Sequence, residues 1–396
     1  MHGHPPGGPP GRVDAMAPES GVTSANWIDP PHNRSGFLRV SELTRTETIS
    51  KGDKEPIDLA RSERDLSRFT FEFDGAEHSI SNLIAETYTD AILVLHRGSI
   101  VFERYEGTMA PTDRHLLMSV SKSIVSTLCG VLIGHGKLRP EDAVPAHVNE
   151  LAGTSWDECT VRQLLDMRTG TEWNYERDEE DIFDVSGYRE HARPDLPGDT
   201  ASWIRTIRNT HGHGRDFRYI SLVTDVLGRV LERAGNAPLP ELISREIWSK
   251  IGAEKDADII VDTSGFPVSE GGISATLRDV GQFGQMCLDR GQVRGAEVVP
   301  AAWFEGLDRD RELIGAFAGS PEFDPHWPEA FYRNNWWVYS SDPQIYAGLG
   351  VFGQVLLIHR PTRSVIVKFS SQPTMEDPGT TALERTGLVA LCESLG

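Results

Sequence analysis

The chain turns strongly apolar and β-branched near Ala91. Ala91-Ile92-Leu93-Val94-Leu95 and Ser99-Ile100-Val101-Phe102-Glu103 flank Arg97-Gly98, a pattern that predicts a hairpin. An earlier strand is predicted at Phe69 to Phe73, inside an otherwise polar stretch from 40 to 80. From Val120 the period becomes helical: Val120, Ile124, Leu128, Val131 and Leu132 fall on one face. Helical spacing dominates the middle of the chain, at Val161 to Met167, Ala201 to Arg208, Ser221 to Ala234, Leu239 to Ile251, Leu277 to Arg290 and Ala301 to Leu307. Strand patterns return at Asn335 to Tyr339, Gly353 to His359 and Ser364 to Ser370, and Thr380 to Leu395 reads as a closing helix.

A hairpin early, strands late and helices between them predict one sheet built from both chain ends, with an inserted helical lobe. The division expected is a Pro/Gly-rich leader at 1–24, an arm and first strands at 25–115, the helical lobe at 116–310, and the last strands with the closing helix at 311–396. Trp27 to Arg34, bound by two prolines, reads as an extended arm packed on the body. The Val120 helix is expected between lobe and sheet, where clefts favour ligand sites.

The 396 residues suffice for a large core, and a net charge of −20 argues against nucleic-acid or anionic-membrane partners. No apolar run approaches the roughly 18 residues of a membrane span, and the leader lacks the apolar core of a secretory signal. Cys129, Cys159, Cys287 and Cys392 are scattered without metal-like spacing, so reduced thiols and a cytoplasmic location are expected. Monomer and homodimer both remain open.

The candidate chemistry starts at that helix. Ser119 and Lys122 lie three residues apart, on one face and one turn of helix from each other. A hydroxyl at a helix start has an amine within reach and free N–H groups beside it, which suits a nucleophile and an oxyanion. A row of small residues, Ser119, Ser123, Ser126 and Gly130, allows close packing of other elements. Three further segments carry candidates: Tyr219 with Ser221 before a long helix, Glu270-Gly271-Gly272 at a turn, and Gly348-Leu349-Gly350-Val351-Phe352-Gly353 at a strand entry, where glycine lets a backbone approach a substrate.

Taken together, Ser119-x-x-Lys122, Tyr219-x-Ser221 and the Gly348-Leu349-Gly350 box resemble the serine hydrolases of the class C β-lactamase and penicillin-recognising family. Within it the likeness is greatest to 6-aminohexanoate-dimer hydrolases and related carboxylesterases, through Pro31-His32-Asn33-Arg34, Thr87-Tyr88-Thr89-Asp90, Val261-Asp262-Thr263 and Trp336-Trp337. The resemblance implies a β-lactamase/transpeptidase-like α/β (α+β) fold with a five-stranded antiparallel sheet, and a cofactor-free, metal-independent enzyme. It implies Ser119 as nucleophile, Lys122 and Tyr219 as base and acid, and the Ser119 and Val351 N–H groups as oxyanion hole. Small esters, and amides in some relatives, are the implied substrates.

Departures matter as well. The third box has no basic residue at its first position, which argues against β-lactam chemistry. Trp173 aligns with a tyrosine that contacts amide substrates in relatives; it lacks the hydroxyl, which puts amidase activity in question. Trp173, Ser221, Glu270, Gly350 and Phe352 are the expected substrate contacts. Tyr175 to Asp184 reads as an acidic solvated loop which, with Glu270, would favour a cationic or amine-bearing substrate. If Trp173 and Phe352 line the cleft and exclude water, acyl transfer to an amine becomes the alternative to hydrolysis. A non-catalytic penicillin-recognising binding module is the third reading. His211-Gly212-His213 has no third partner at metal-like spacing and reads as a polar loop.

Overall fold

The run from Ala91 to Leu95 has no polar position to offer to water, and neither face of its strand meets any. The structure, a computed structural model, describes residues 21–190, 193–307, 310–322, 324, 327–341 and 344–396. The leader expected at 1–24 therefore lies outside the described residues as far as Ser20.

One large sheet contains β1 (Ala60–Arg61), β2 (Thr89–His96), β3 (Ser99–Tyr105), β4 (Phe331–Arg333), β5 (Trp336–Ser341), β6 (Gln344–Gly350), β7 (Gln354–His359) and β8 (Ser364–Ser370). Its order is β4-β5-β6-β7-β8-β2-β3-β1. The chain ends meet where β8 pairs antiparallel with β2, Val367 opposite Leu93 and Ile366 opposite Val94. The predicted strands are all present, but the sheet has eight strands rather than five. The additions are the two-residue β1, the three-residue β4 and the Gly/Ala-containing β6, whose composition carries little strand signal.

Period-two alternation divides the sheet between two cores. Leu93, Leu95, Val365, Val367, Leu356 and Ile358 face the helical side, and Ile92, Val94, Ile366 and Leu357 face the closing helix. The helices that matter here are α1 (Val120–Gly134), α2 (Tyr175–Val185), α3 (Leu222–Gly235), α4 (Leu277–Leu288) and α5 (Pro378–Ser394). Every residue of α1 from Val120 to Leu132 is buried, because α3 and the sheet both pack on it. The row of small residues has the expected use: Ser123 Oγ donates to the Asn335 carbonyl at 3.0 Å, and Gly130 faces the Trp303 ring.

A second, four-stranded sheet brings His115–Leu116 beside Ile273–Ala275. The Leu117 N–H donates to the Ile273 carbonyl at 2.8 Å, which locks the start of α1 to the Glu270 turn. The arm from Trp27 consists of turns and a short helix at Asn33–Gly36 rather than extended chain, and Trp27 is fully buried. The predicted helix Leu239 to Ile251 is a short α-helix, Leu239–Ile243, running into a π-turn at Ser244–Trp248. Among the described residues no helix is long and apolar enough to cross a membrane, and the four cysteines are buried and free.

A methyl at Gly130 would approach the Trp303 ring to 2.5 Å. Gly130→Ala should gain about 1 kcal/mol of helix propensity and lose about 1–3 kcal/mol to overpacking. A lower urea midpoint is therefore expected. An unchanged or higher midpoint would show that this contact relaxes freely.

Candidate active site

Met118, immediately before α1, has φ +46, a conformation that side chains avoid and that clusters at functional sites. It turns the chain so that Ser119 caps α1 and lies on the wall of a cleft of ≈ 720 Å³. One turn later Lys122 is fully buried. Its Nζ reaches Ser119 Oγ at 2.7 Å, the Glu270 carbonyl at 2.7 Å, Ser221 Oγ at 3.1 Å and Glu270 Oε2 at 3.3 Å. The spacing read from the sequence thus does put amine and hydroxyl in contact.

Tyr219 arrives from the segment before α3 and lines the same cleft as Ser119, with its phenol close enough to feel the Ser119 side chain. Its ring stacks on Trp337 at 5.4 Å and meets Tyr332 edge-on at 5.9 Å. The Lys122 amine lies 5.2 Å from the ring centroid. Burial pushes the Tyr219 hydroxyl well above its usual pKa, and the nearby carboxylates of Glu179 and Glu270 add to this. Ser221 completes the group as an acceptor for Lys122.

The Gly348-to-Gly353 box lies on the opposite wall. Gly350 pairs with Gln354 at the end of β6. A Cβ there would come within 3.0 Å of the Ser119 nitrogen and 2.8 Å of the Leu117 carbonyl, so only glycine permits this approach. Gly350 and Val351 both line the cleft beside Ser119. Neither the Ser119 nor the Val351 N–H has a hydrogen-bond acceptor among the described residues.

The expected substrate contacts divide. Ser221, Glu270 and Gly350 line the cleft, whereas Trp173 and Phe352 do not. Phe352, at φ +62, turns into the core against Phe37 at 5.5 Å. Trp173 is buried behind the wall, stacked on Trp203 at 5.4 Å, and its indole N–H donates to Glu179 Oε1 at 3.2 Å. Tyr175 occupies the cleft instead and donates to Glu376 Oε1 at 2.7 Å.

The acidic segment is a helix, α2, capped by Asn174, and not a loop. Tyr175, Glu179, Ile182 and Phe183 recur at helical spacing along its cleft face. That period was present in the sequence but obscured by the density of carboxylates. Glu179, expected among the solvated charges, accepts the Ser221 N–H at 3.0 Å, and burial pushes its carboxyl up to about 7. On the far side of Lys122, Asp225 of α3 accepts the N–H groups of Ser269 and Glu270 at 2.8 and 3.1 Å. Burial, reinforced by the Glu270 charge, raises the Asp225 carboxyl well above the usual range.

His213 Nδ1 accepts the Gly170 N–H at 3.0 Å and so pins a turn, as suits a polar loop. Among the described residues, no group of His, Cys, Asp and Glu has an arrangement suited to a metal ion.

The beta-lactamase family model matches residues 80–391. The chain is 37% identical over 368 residues to 6-aminohexanoate-dimer hydrolase of Paenarthrobacter ureafaciens, covering 90% of this chain and 89% of that one. A Bacillus anthracis structure, named provisionally as a 6-aminohexanoate-dimer hydrolase, superposes with a TM-score of 0.88 at 24% identity, over 96% of this chain and 99% of its own. EstCE1, described as a hydrolase with promiscuous acyltransferase activity, has a TM-score of 0.59 at 15% identity, over 78% of this chain and 96% of its own. This chain belongs to the beta-lactamase family, and within it to the serine hydrolases related to 6-aminohexanoate-dimer hydrolase.

Proposed function

We propose that this enzyme cleaves small esters and linear amides through an acyl-enzyme on Ser119. The observation that carries the reading is the Ser119 hydroxyl in hydrogen-bond contact with the buried Lys122 amine at 2.7 Å, with Tyr219 beside it in a cleft of small-molecule size. Ser119 attacks the carbonyl, and its proton passes to Lys122 and Tyr219, which act as one coupled unit. The N–H groups of Ser119 and Val351 receive the developing oxyanion. Tyr219 then protonates the leaving group, and water releases the acyl group by the reverse path.

Linear amides are included because the Paenarthrobacter ureafaciens relative is, by name, a hydrolase of 6-aminohexanoate dimer. Tyr175 also brings to the cleft the phenol that Trp173 lacks. Acyl transfer to an amine loses its sequence argument, because neither Trp173 nor Phe352 lines the cleft to exclude water. Among the charged residues described in the lining, the carboxylates, Glu176, Glu179, Glu270, Glu322 and Glu376 among them, outnumber the one cation, Arg385, which supports a preference for cationic or amine-bearing substrates.

Three outcomes are expected. With p-nitrophenyl esters, Ser119→Ala and Lys122→Ala should each lose at least about 10²-fold in kcat/KM. Products formed with and without added amine should be hydrolytic; amide products in quantity would favour acyl transfer. Gly350→Ala, by displacing Val351 from Ser119, should cost on the order of 10² in kcat while the fold is kept.

A cationic ester should be preferred over its anionic counterpart by about tenfold or more at low salt, and the preference should shrink as salt rises. Glu179 is neutral below about 7 and charged above it, so the preference should grow between pH 6 and pH 8. Glu179→Gln should flatten that trend. A preference unaffected by salt and pH would contradict the charge argument.

A further inference from the structure

Two of the four acceptors around the Lys122 amine belong to a single residue, Glu270: its carbonyl at 2.7 Å and its Oε2 at 3.3 Å. An ammonium has three N–H donors and a neutral amine two, so four converging oxygens compete for them. The fully buried amine has no water to turn to, and its direction depends on which acceptors are held most firmly.

Glu270 is held at both ends. Its N–H donates to Asp225 Oδ1 at 3.1 Å, and its Oε1 accepts the Tyr188 hydroxyl at 2.7 Å. Tyr188 is itself fixed. Its ring stacks on Trp27 at 6.4 Å and meets Phe183 edge-on at 5.1 Å, and its carbonyl accepts the Trp27 indole N–H at 2.6 Å. A Cβ at Gly271 would lie 2.4 Å from the Tyr188 hydroxyl, so that glycine lets the tether close. A line of contacts thus runs from the N-terminal arm through Tyr188 and Glu270 to Lys122. Both carboxylate oxygens of Glu270 are engaged inside the protein, although the residue borders the cleft.

We infer that Glu270 is a positioning residue for Lys122: its carbonyl and carboxylate seat the amine against the Ser119 hydroxyl, and Tyr188 keeps the carboxylate turned towards the amine. This goes beyond a role for Glu270 in meeting substrate charge, and it rests on the reading of Ser119 as nucleophile and Lys122 as its base. Gln at 270 has nearly the same shape and can still offer an oxygen to Lys122, whereas Ala leaves only the carbonyl.

The test compares Glu270→Ala, Glu270→Gln and Tyr188→Phe with the wild type on a neutral and a cationic p-nitrophenyl ester. It measures kcat and KM separately and follows the Ser119 acyl adduct by rapid-quench mass spectrometry. Glu270→Ala should lose about 10- to 100-fold in kcat on both esters with KM within about twofold. Glu270→Gln should recover to within about fivefold of wild type, and Tyr188→Phe should fall between the two. Thermal unfolding of the Gln variant checks that the fold is kept. A kcat for Glu270→Ala within about twofold of wild type, or a loss confined to KM for the cationic ester, overturns the inference and leaves Ser119 standing. Ester turnover by the wild type without a Ser119 adduct removes the underlying reading, and the inference with it.

Discussion

A lysine amine with no exposed surface lies at the centre of this site, and its burial constrains everything around it. Desolvating a cation costs several kcal/mol unless partners replace the lost water. The fold supplies those partners from α1, from the turn before α4 and from the start of α3, as Ser119, Glu270 and Ser221. Those elements can converge only because α1 is sunk between sheet and lobe, with small residues where the neighbours press closest. The Gly350 approach on one wall and the Tyr188 tether on the other belong to the same arrangement. The burial that puts the amine against the Ser119 hydroxyl is also what makes its surroundings exacting.

Much of this was legible in the sequence because the decisive elements are locally determined. The 91–103 hairpin is β-branched and apolar on both faces, and the α1 stripe leaves no other period available. Ser119 with Lys122 depends only on the geometry of one helical turn. The segments of Tyr219, Glu270 and Gly350 could be singled out by residue type, but their convergence came from a resemblance. No local pattern brings Glu270 to Lys122, 148 positions apart in the chain.

What was missed has physical reasons. Strand β6 contains Gly348 and Gly350 because α1 and Ser119 press against it, so function removed residues that would have marked a strand. Helix α2 hid its period behind charge, since a carboxylate counts as polar whether it faces solvent, as Glu180 does, or the cleft, as Glu179 does. Trp173 and Phe352 look like pocket residues by size. Their backbones turn the rings into the core, Trp173 towards Trp203 and Phe352 towards Phe37. Aromatic character alone does not separate a wall from its backing.

The central claim is covalent chemistry at Ser119, and the most direct measurement is to catch it. Wild-type protein mixed with a p-nitrophenyl ester, quenched within the first turnover and digested, should yield one peptide heavier by the acyl group, with the modification mapped to Ser119. Its formation should match the burst of nitrophenol, and its decay should match steady-state release. Turnover without any adduct, or an adduct mapped to another residue, would contradict the account.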